Sequence, residues 1–219
     1  MAMPVKRLAA LAAILALAPA AAGCGYNAIP TKEERARAAW ADVEGAYQRR
    51  ADLVPSLVAT VQGAAVQERT VLTEVTEARA RATSVNVTPE TLNDPAAMAR
   101  FQSAQGELSQ ALSRLLLVVE NYPQLQANQN FLVLQQQLEG TENRINVSRN
   151  DYNEAVRDYN TELRTFPGVV WANTLHGSAE PMPLFEAADG AEVAPTVNFD
   201  LGRQPATPPA QPAPAAPPQ

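Results

Sequence analysis

The chain has 219 residues, of which 46% are hydrophobic and 18% charged, and its formal net charge is -6. This length fits one globular domain with additional terminal segments, and an acidic chain without a basic stripe differs from nucleic-acid binders, so we expect no nucleic-acid partner. The single cysteine excludes an internal disulfide and any metal site built from several cysteines.

The N-terminus is predicted to be a secretory signal peptide over residues 1–23. Lys6 and Arg7 precede an apolar run over residues 8–19, and small residues follow up to Gly23. The run is shorter than the roughly 20 apolar residues that a membrane-spanning helix needs. Cleavage is therefore the preferred prediction, and an uncleaved N-terminal helix and a soluble periplasmic protein are the alternatives.

Cys24 is predicted to be a site of lipidation. Residues 21–24 read Ala-Ala-Gly-Cys and resemble a bacterial lipobox, in which the thiol of Cys24 would be alkylated with diacylglycerol and become the first mature residue. Two or three acyl chains hold a protein stably at a membrane. Gly25 rather than Asp follows the cysteine, as in lipoproteins sent to the outer membrane. We therefore expect an envelope protein anchored on the periplasmic side, with residues 24–30 as lipidated cysteine and short linker.

The apolar pattern is helical from residue 31 to residue 166. A first seam stays in phase from Val43 to Leu57 across Pro55, which favours a kink over a break. Residues 84–88 predict a loop, and Asp94 and Pro95 suit the cap and first turn of a second helical region. A further break is predicted at residues 121–123.

The last seam predicts one long helix over residues 123–165, because apolar residues recur at spacings of three and four. At about 1.5 Å per residue such a helix would exceed 60 Å, so other helices must lie along it. The prediction is an all-α fold, an elongated antiparallel bundle of three to four long helices over residues 31–186.

Two segments follow the bundle helices. After Phe166 a Pro-Gly pair ends the helix, and a short amphipathic turn and an extended run with Met182 and Phe185 follow. We expect this run to fold back and cap the open end of the bundle; the alternative is an exposed apolar patch for a partner. Residues 187–219 are rich in Pro and Ala and predict a disordered tail.

Sequence motifs of catalysis and metal binding are missing. His176 is the single histidine, and Cys24 is assigned to the membrane, so neither a serine nor a cysteine nucleophile has a matching base. Glu139 and Glu142 stand three residues apart but have no histidine partner, and a solvated surface is the simpler interpretation. We expect no catalytic residue, no metal and no cofactor.

Polar residues at seam positions are the remaining candidates. Arg50 falls on the first seam, where Asp52, Glu142 or Glu154 could neutralise it, and such a buried pair specifies register more than it adds stability. The repeated Asp-Tyr-Asn triplets at residues 151–153 and 158–160 point both tyrosines the same way. The candidate cluster, structural by preference and otherwise an interaction site, comprises Arg49, Arg50, Asp52, Glu142, Arg144, Asn153 and Asn160.

Seven motifs in order resemble the LemA family. They are RRADLVPSLV (49–58), TEVTEARAR (73–81), NYP (121–123), ANQNF (127–131), LEGTENRI (138–145), DYNEAV (151–156) and FPG (166–168). The resemblance implies a long antiparallel helical bundle at a bacterial membrane, and it implies little about activity. Members are commonly anchored by an uncleaved N-terminal helix, from which the short apolar run and Cys24 depart.

These observations predict a membrane-tethered, non-enzymatic helical bundle of the bacterial envelope that acts as a protein-interaction or membrane-organising module. Its expected partners are the membrane, through an N-terminal lipid or an uncleaved helix, and an unidentified envelope protein. The alternative is a ligand-binding or sensing bundle that uses the polar groups near the Pro55 kink.

Overall fold

The computed structural model describes residues 25–65 and 67–186. Within them it contains six helices and no strand: α1 (Ala28–Ala64), α2 (Arg69–Ser84), α3 (Pro95–Val119), α4 (Pro123–Gln126), α5 (Gln129–Arg164) and α6 (Gly168–Thr174). The all-α prediction is confirmed. The predicted signal peptide, Cys24 and the predicted tail lie outside the described residues.

The first helical region differs from the prediction at both ends. Helix α1 begins at Ala28, and Ile29 is only 1% exposed, so residues predicted as linker belong to the core. At the other end the region divides, because α1 ends at Ala64 and α2 begins at Arg69 after a short turn. The helix runs through Pro55, as predicted, and Val54 and Leu57 remain buried on either side of it.

Capping residues define where α3 and α5 begin. Asp94 Oδ1 accepts a hydrogen bond from the backbone N–H of Ala96 at 2.8 Å, which confirms the predicted cap. The predicted helix over residues 123–165 is wrong at its start, because α4 ends at Gln126 and a separate helix follows. Asn128 Oδ1 accepts hydrogen bonds from the backbone N–H of Asn130 at 2.9 Å and of Phe131 at 3.3 Å, and so caps the start of α5.

The helices pack antiparallel along one another. Helix α5 packs antiparallel to α1, since Lys32 pairs with Glu162 and Arg50 with Glu142, and α2 packs against both α1 and α3. Among the described residues, no helix is both long enough and apolar enough to cross a membrane.

The buried side chains form two clusters. The first, here called the aromatic core, lies towards the start of α1 and the end of α5 and includes Trp40, Tyr47, Met98, Phe101, Tyr152, Tyr159, Met182 and Phe185. The second, here called the aliphatic core, lies towards the other end and includes Val54, Leu57, Val61, Leu72, Val75, Leu108, Leu112, Leu115, Val119, Leu125 and Phe131. The predicted seam of α5 is buried unevenly, because Leu134 and Leu138 are only partly covered by the aliphatic core.

Candidate functional site

A buried arginine lies between the two cores. Arg50 is 1% exposed, and its Nη1 donates to the Ser109 hydroxyl at 2.7 Å. Its Nη2 donates to the backbone oxygen of Gln105 at 3.1 Å and to the side-chain Oε1 of the same residue at 2.8 Å. Gln105 also donates from Nε2 to the carbonyl of Ala82 at 3.2 Å. Three helices are thus joined by one set of polar contacts, here called the polar layer.

The charge of Arg50 is balanced by Glu142 of α5. Nη1 lies 3.3 Å from both carboxylate oxygens of Glu142, whose side chain is 46% exposed. The guanidinium carbon also lies 5.0 Å from the centre of the Tyr47 ring, and burial raises the pKa of that phenol. Of the three predicted partners, Glu142 is correct. Asp52 is exposed and accepts from Gln48 at 2.8 Å instead.

The predicted polar cluster does not form one site. Arg49, Asp52 and Arg144 are exposed on helix surfaces, whereas Asn153 and Asn160 contact a different segment of the chain. Glu154 lies 4.0 Å from exposed Arg35 rather than near the polar layer. The cluster therefore separates into the structural layer around Arg50 and a second group on α5.

A surface cleft of about 220 Å³ adjoins the polar layer. Tyr47, Phe101 and Gln105 line it from the core side. Burial raises the pKa of Glu44 at the edge of the cleft. No group of three or more histidine, cysteine, aspartate or glutamate residues converges anywhere in the described part of the chain.

The second polar group holds an extended stretch of chain, residues 182–185, here called the return segment. Asn160 Oδ1 accepts from the N–H of Met182 at 3.0 Å, and Asn160 Nδ2 donates to the carbonyl of the same residue at 2.9 Å. Asn153 binds Phe185 in the same manner, at 2.9 and 3.3 Å. Between them the Tyr152 hydroxyl donates to the carbonyl of Pro183 at 3.0 Å.

The spacing of these contacts follows from backbone geometry. Seven residues of an α-helix rise about 10.5 Å, and three residues of extended chain cover about 10 Å. Two asparagines one heptad apart therefore meet the first and last residues of a four-residue extended segment. Both amides thus bind non-helical backbone rather than another helix.

The side chains of the return segment enter the aromatic core. Met182 is 3% and Phe185 6% exposed, and the Phe185 ring stacks on Trp40 with 5.8 Å between centroids. The guanidinium carbon of Arg149 lies 4.8 Å from the centroid of the Phe185 ring. The run folds back onto the helices, as predicted, but it lies along α5 rather than over the end of the bundle. The repeated Asp-Tyr-Asn triplet was the available signal for its binding site.

Exposed apolar side chains gather where α1 begins and α5 ends. Tyr26 is 47% exposed, Phe166 84%, Val170 45% and Leu175 58%. The Tyr26 ring lies 6.1 Å from that of Trp171, which joins the start of the described chain to α6. We call this group the terminal apolar face. Beside it, Trp171 Nε1 is buried and has no hydrogen-bond partner among the described residues.

Known proteins share sequence similarity with this chain. The model of the LemA family matches residues 39–199. The magnetosome proteins MamQ 1 and MamQ 2 of Paramagnetospirillum magneticum are each 27% identical over 158 residues, and magnetosome protein MamQ of Magnetospirillum gryphiswaldense is 25% identical. Each match covers 65% of this chain and 58% of the relative, so the chain spans little more than half the length of these relatives.

Proposed function

The chain belongs to the LemA family, and on this premise we propose that it is a membrane-tethered, non-enzymatic module of the bacterial envelope that binds proteins or organises membrane. The terminal apolar face carries the proposal. Exposed clusters of large apolar side chains mark surfaces that contact a membrane or another protein, and aromatic rings are favoured at the boundary between lipid and water.

The position of this face supports the membrane as its first partner. Gly25, the residue after Cys24, lies next to α6: a Cβ there would be 3.2 Å from the Pro167 ring. A lipid on Cys24, or an uncleaved helix ending near it, would therefore bring the terminal apolar face to the bilayer surface. A buried side chain of this size contributes about 1.5–3 kcal/mol, so Phe166 and Leu175 would add to the tether.

The interior supports a non-enzymatic role. The polar layer binds its own members, with Arg50 directed to Gln105, Ser109 and Glu142, and the two asparagines of α5 are bound to the return segment. These groups are occupied in holding the fold. The likeness to magnetosome proteins suggests, by analogy, a role in organising a membrane-bounded structure of the envelope.

The tether is tested by mass spectrometry of the mature protein from fractionated cells. Diacylglycerol on Cys24, or an intact leader in the membrane fraction, supports the two forms of the proposal. A chain that is cleaved, unmodified and recovered in the soluble fraction would refute the tether. In-cell cross-linking of the same material tests for the envelope protein partner.

The terminal apolar face is tested separately, in vesicles that contain lipids brominated on their acyl chains. Bromine should quench Trp171 fluorescence, and Phe166→Glu should reduce that quenching because a charge is costly to place near lipid. Leu117→Glu is the matched control: Leu117 is 61% exposed on α3, away from this face, and its substitution should leave quenching unchanged. Equal quenching in all three proteins would contradict membrane contact by this face.

A second candidate function is ligand binding at the cleft beside the polar layer. The cleft of about 220 Å³ and its lining by Gln105 and Tyr47 favour a small, partly polar molecule. Native mass spectrometry of the purified chain tests it, since a bound small molecule should be released by Tyr47→Ala. A chain that carries no additional mass would count against this candidate.

A further inference from the structure

The return segment is bound in the way that a groove binds a separate peptide. Five hydrogen bonds reach its backbone, all from three side chains of α5: Tyr152, Asn153 and Asn160. Two of its side chains, three positions apart, are buried, Met182 and Phe185, whereas Leu184 is 38% exposed. Backbone contacts of this kind provide affinity, and the pockets provide specificity for an apolar residue followed three positions later by an aromatic one.

The segment is also suited to act as a ligand. Pro181 and Pro183 restrict φ around it, so less conformational entropy is lost when it binds. Pro183 lacks an N–H, but the groove uses only the carbonyl of that residue. The segment is connected to α6 through residues 175–181, which contain no helix or strand.

We propose that the groove formed by α5 and Trp40 binds the return segment of a second copy of this chain, so that two copies exchange residues 182–185. An identical segment would make the same hydrogen bonds and the same ring contacts, and exchange of an identical element is a low-cost route to a dimer. The connection from Leu175 to Met182 could extend to about 23 Å, which is enough to reach a neighbouring bundle. The inference draws on the proposed tether only for the high local concentration of copies on a membrane.

Complementation between two variants of the full chain tests the exchange. Phe185→Ala removes the main side chain of the ligand and leaves the groove intact, whereas Asn153→Ala with Asn160→Ala removes the groove's backbone contacts and leaves the ligand intact. Neither protein alone can form an intact groove–segment pair, so each should form at least tenfold fewer dimers than the mixture does in detergent solution. A mixture of the two should form heterodimers, because the groove of the first binds the segment of the second.

In a Trp171→Phe background Trp40 is the remaining tryptophan, and its fluorescence reports binding of the return segment because Phe185 stacks on it. Adding the groove variant to the Phe185→Ala variant should change Trp40 fluorescence, whereas adding a chain that carries both sets of substitutions should not. Leu184→Ala is the matched control and should associate like the unchanged chain. If Phe185→Ala or the double asparagine variant loses helical circular dichroism, the milder substitutions Phe185→Leu and Asn160→Ala replace them.

Association is measured by light scattering of protein purified in detergent, so the outcome does not depend on whether the chain is lipidated. A mixture that forms no more dimers than either protein alone overturns the exchange. So does an unchanged chain that remains monomeric at every concentration up to that reached on vesicles. Failure of the tether alone would appear in cell fractionation and leave these results as they are.

Discussion

The two cores differ in the kinds of chain that build them. Almost every member of the aliphatic core lies on a helix, whereas the aromatic core combines α1, α3 and α5 with two non-helical stretches that contain Val87 and the return segment. Helices satisfy their own backbone groups, but irregular chain must find other partners. Trp40 Nε1 accordingly donates to the carbonyl of Val87 at 3.0 Å, and the asparagines of α5 bind the return segment.

This difference indicates how each half is stabilised. The aliphatic core depends mainly on apolar contacts, and many sequences with the same spacing would build it. The aromatic core depends on specific polar groups that orient its irregular segments. The polar layer separates the two, and we expect substitutions on either side of it to have different consequences.

The largest expected effect comes from comparing the central side chain of each core. Trp40→Ala should lower the free energy of unfolding by about 3–5 kcal/mol, because it leaves a cavity and removes the bond to Val87. It should also expose the backbone amides of the return segment to hydrogen exchange. Leu115→Ala should cost about 2–5 kcal/mol without exposing that segment. Equal exchange at residues 182–185 in the two variants would contradict the distinction between the cores.

The polar layer is expected to show the next largest effect. Arg50→Met should lower the free energy of unfolding by about 1–3 kcal/mol, since the buried oxygens of Gln105 and the half-buried hydroxyl of Ser109 lose a donor. Glu142→Gln should cost less than about 1 kcal/mol, because that carboxylate is half solvated. Denaturant titrations of both variants measure the difference. A larger loss for Glu142→Gln would show that the charge pair, rather than the hydrogen bonds, governs this layer.

Two glycines provide a matched comparison of backbone space. A Cβ at Gly168 would collide with the carbonyl oxygen of Glu162, so Gly168→Ala should displace α6 and destabilise the chain by about 1–3 kcal/mol. A Cβ at Gly140 would meet nothing within 4 Å, and Gly140→Ala should stabilise the helix by about 0.5–1 kcal/mol. Thermal melting measures both, and a stabilising Gly168→Ala would contradict the close approach of α6 to α5.

The smallest expected effect is a dependence of stability on alkaline pH. Burial raises the pKa of Tyr159 to about 12, and burial also raises the pKa of Tyr152. A phenol whose pKa is raised in the folded state binds a proton that the unfolded chain has released, so its contribution is complete below pH 10 and is lost as the pH approaches 12. Stability should fall across that range, and Tyr159→Phe should make the decline less steep. Tyr26→Phe, at an exposed ring, is the control and should leave the slope unchanged.

More could be predicted from the sequence about the polar layer around Arg50 than about the asparagines of α5 and their partner. Burial of Arg50 and its pairing with Glu142 were among the predictions, because an arginine on an apolar seam must face a carboxylate or other polar groups. Its bonds to Gln105 and Ser109 could not be predicted, since they depend on the rotation of α3 about its axis. The repeat of Asp-Tyr-Asn was visible, but its partner was not, because the return segment follows Asn160 by more than twenty residues and has no periodicity of its own.

The sequence by itself determined the all-α class, the family, the cap at Asp94 and the passage of α1 through Pro55, because each depends on local spacing or on one side chain near its own backbone. The tertiary structure decided where the helical regions divide, which polar groups meet, and that residues 182–185 lie along α5. These features arise from contacts between residues far apart in the chain, whose geometry is specified only when all the helices pack together.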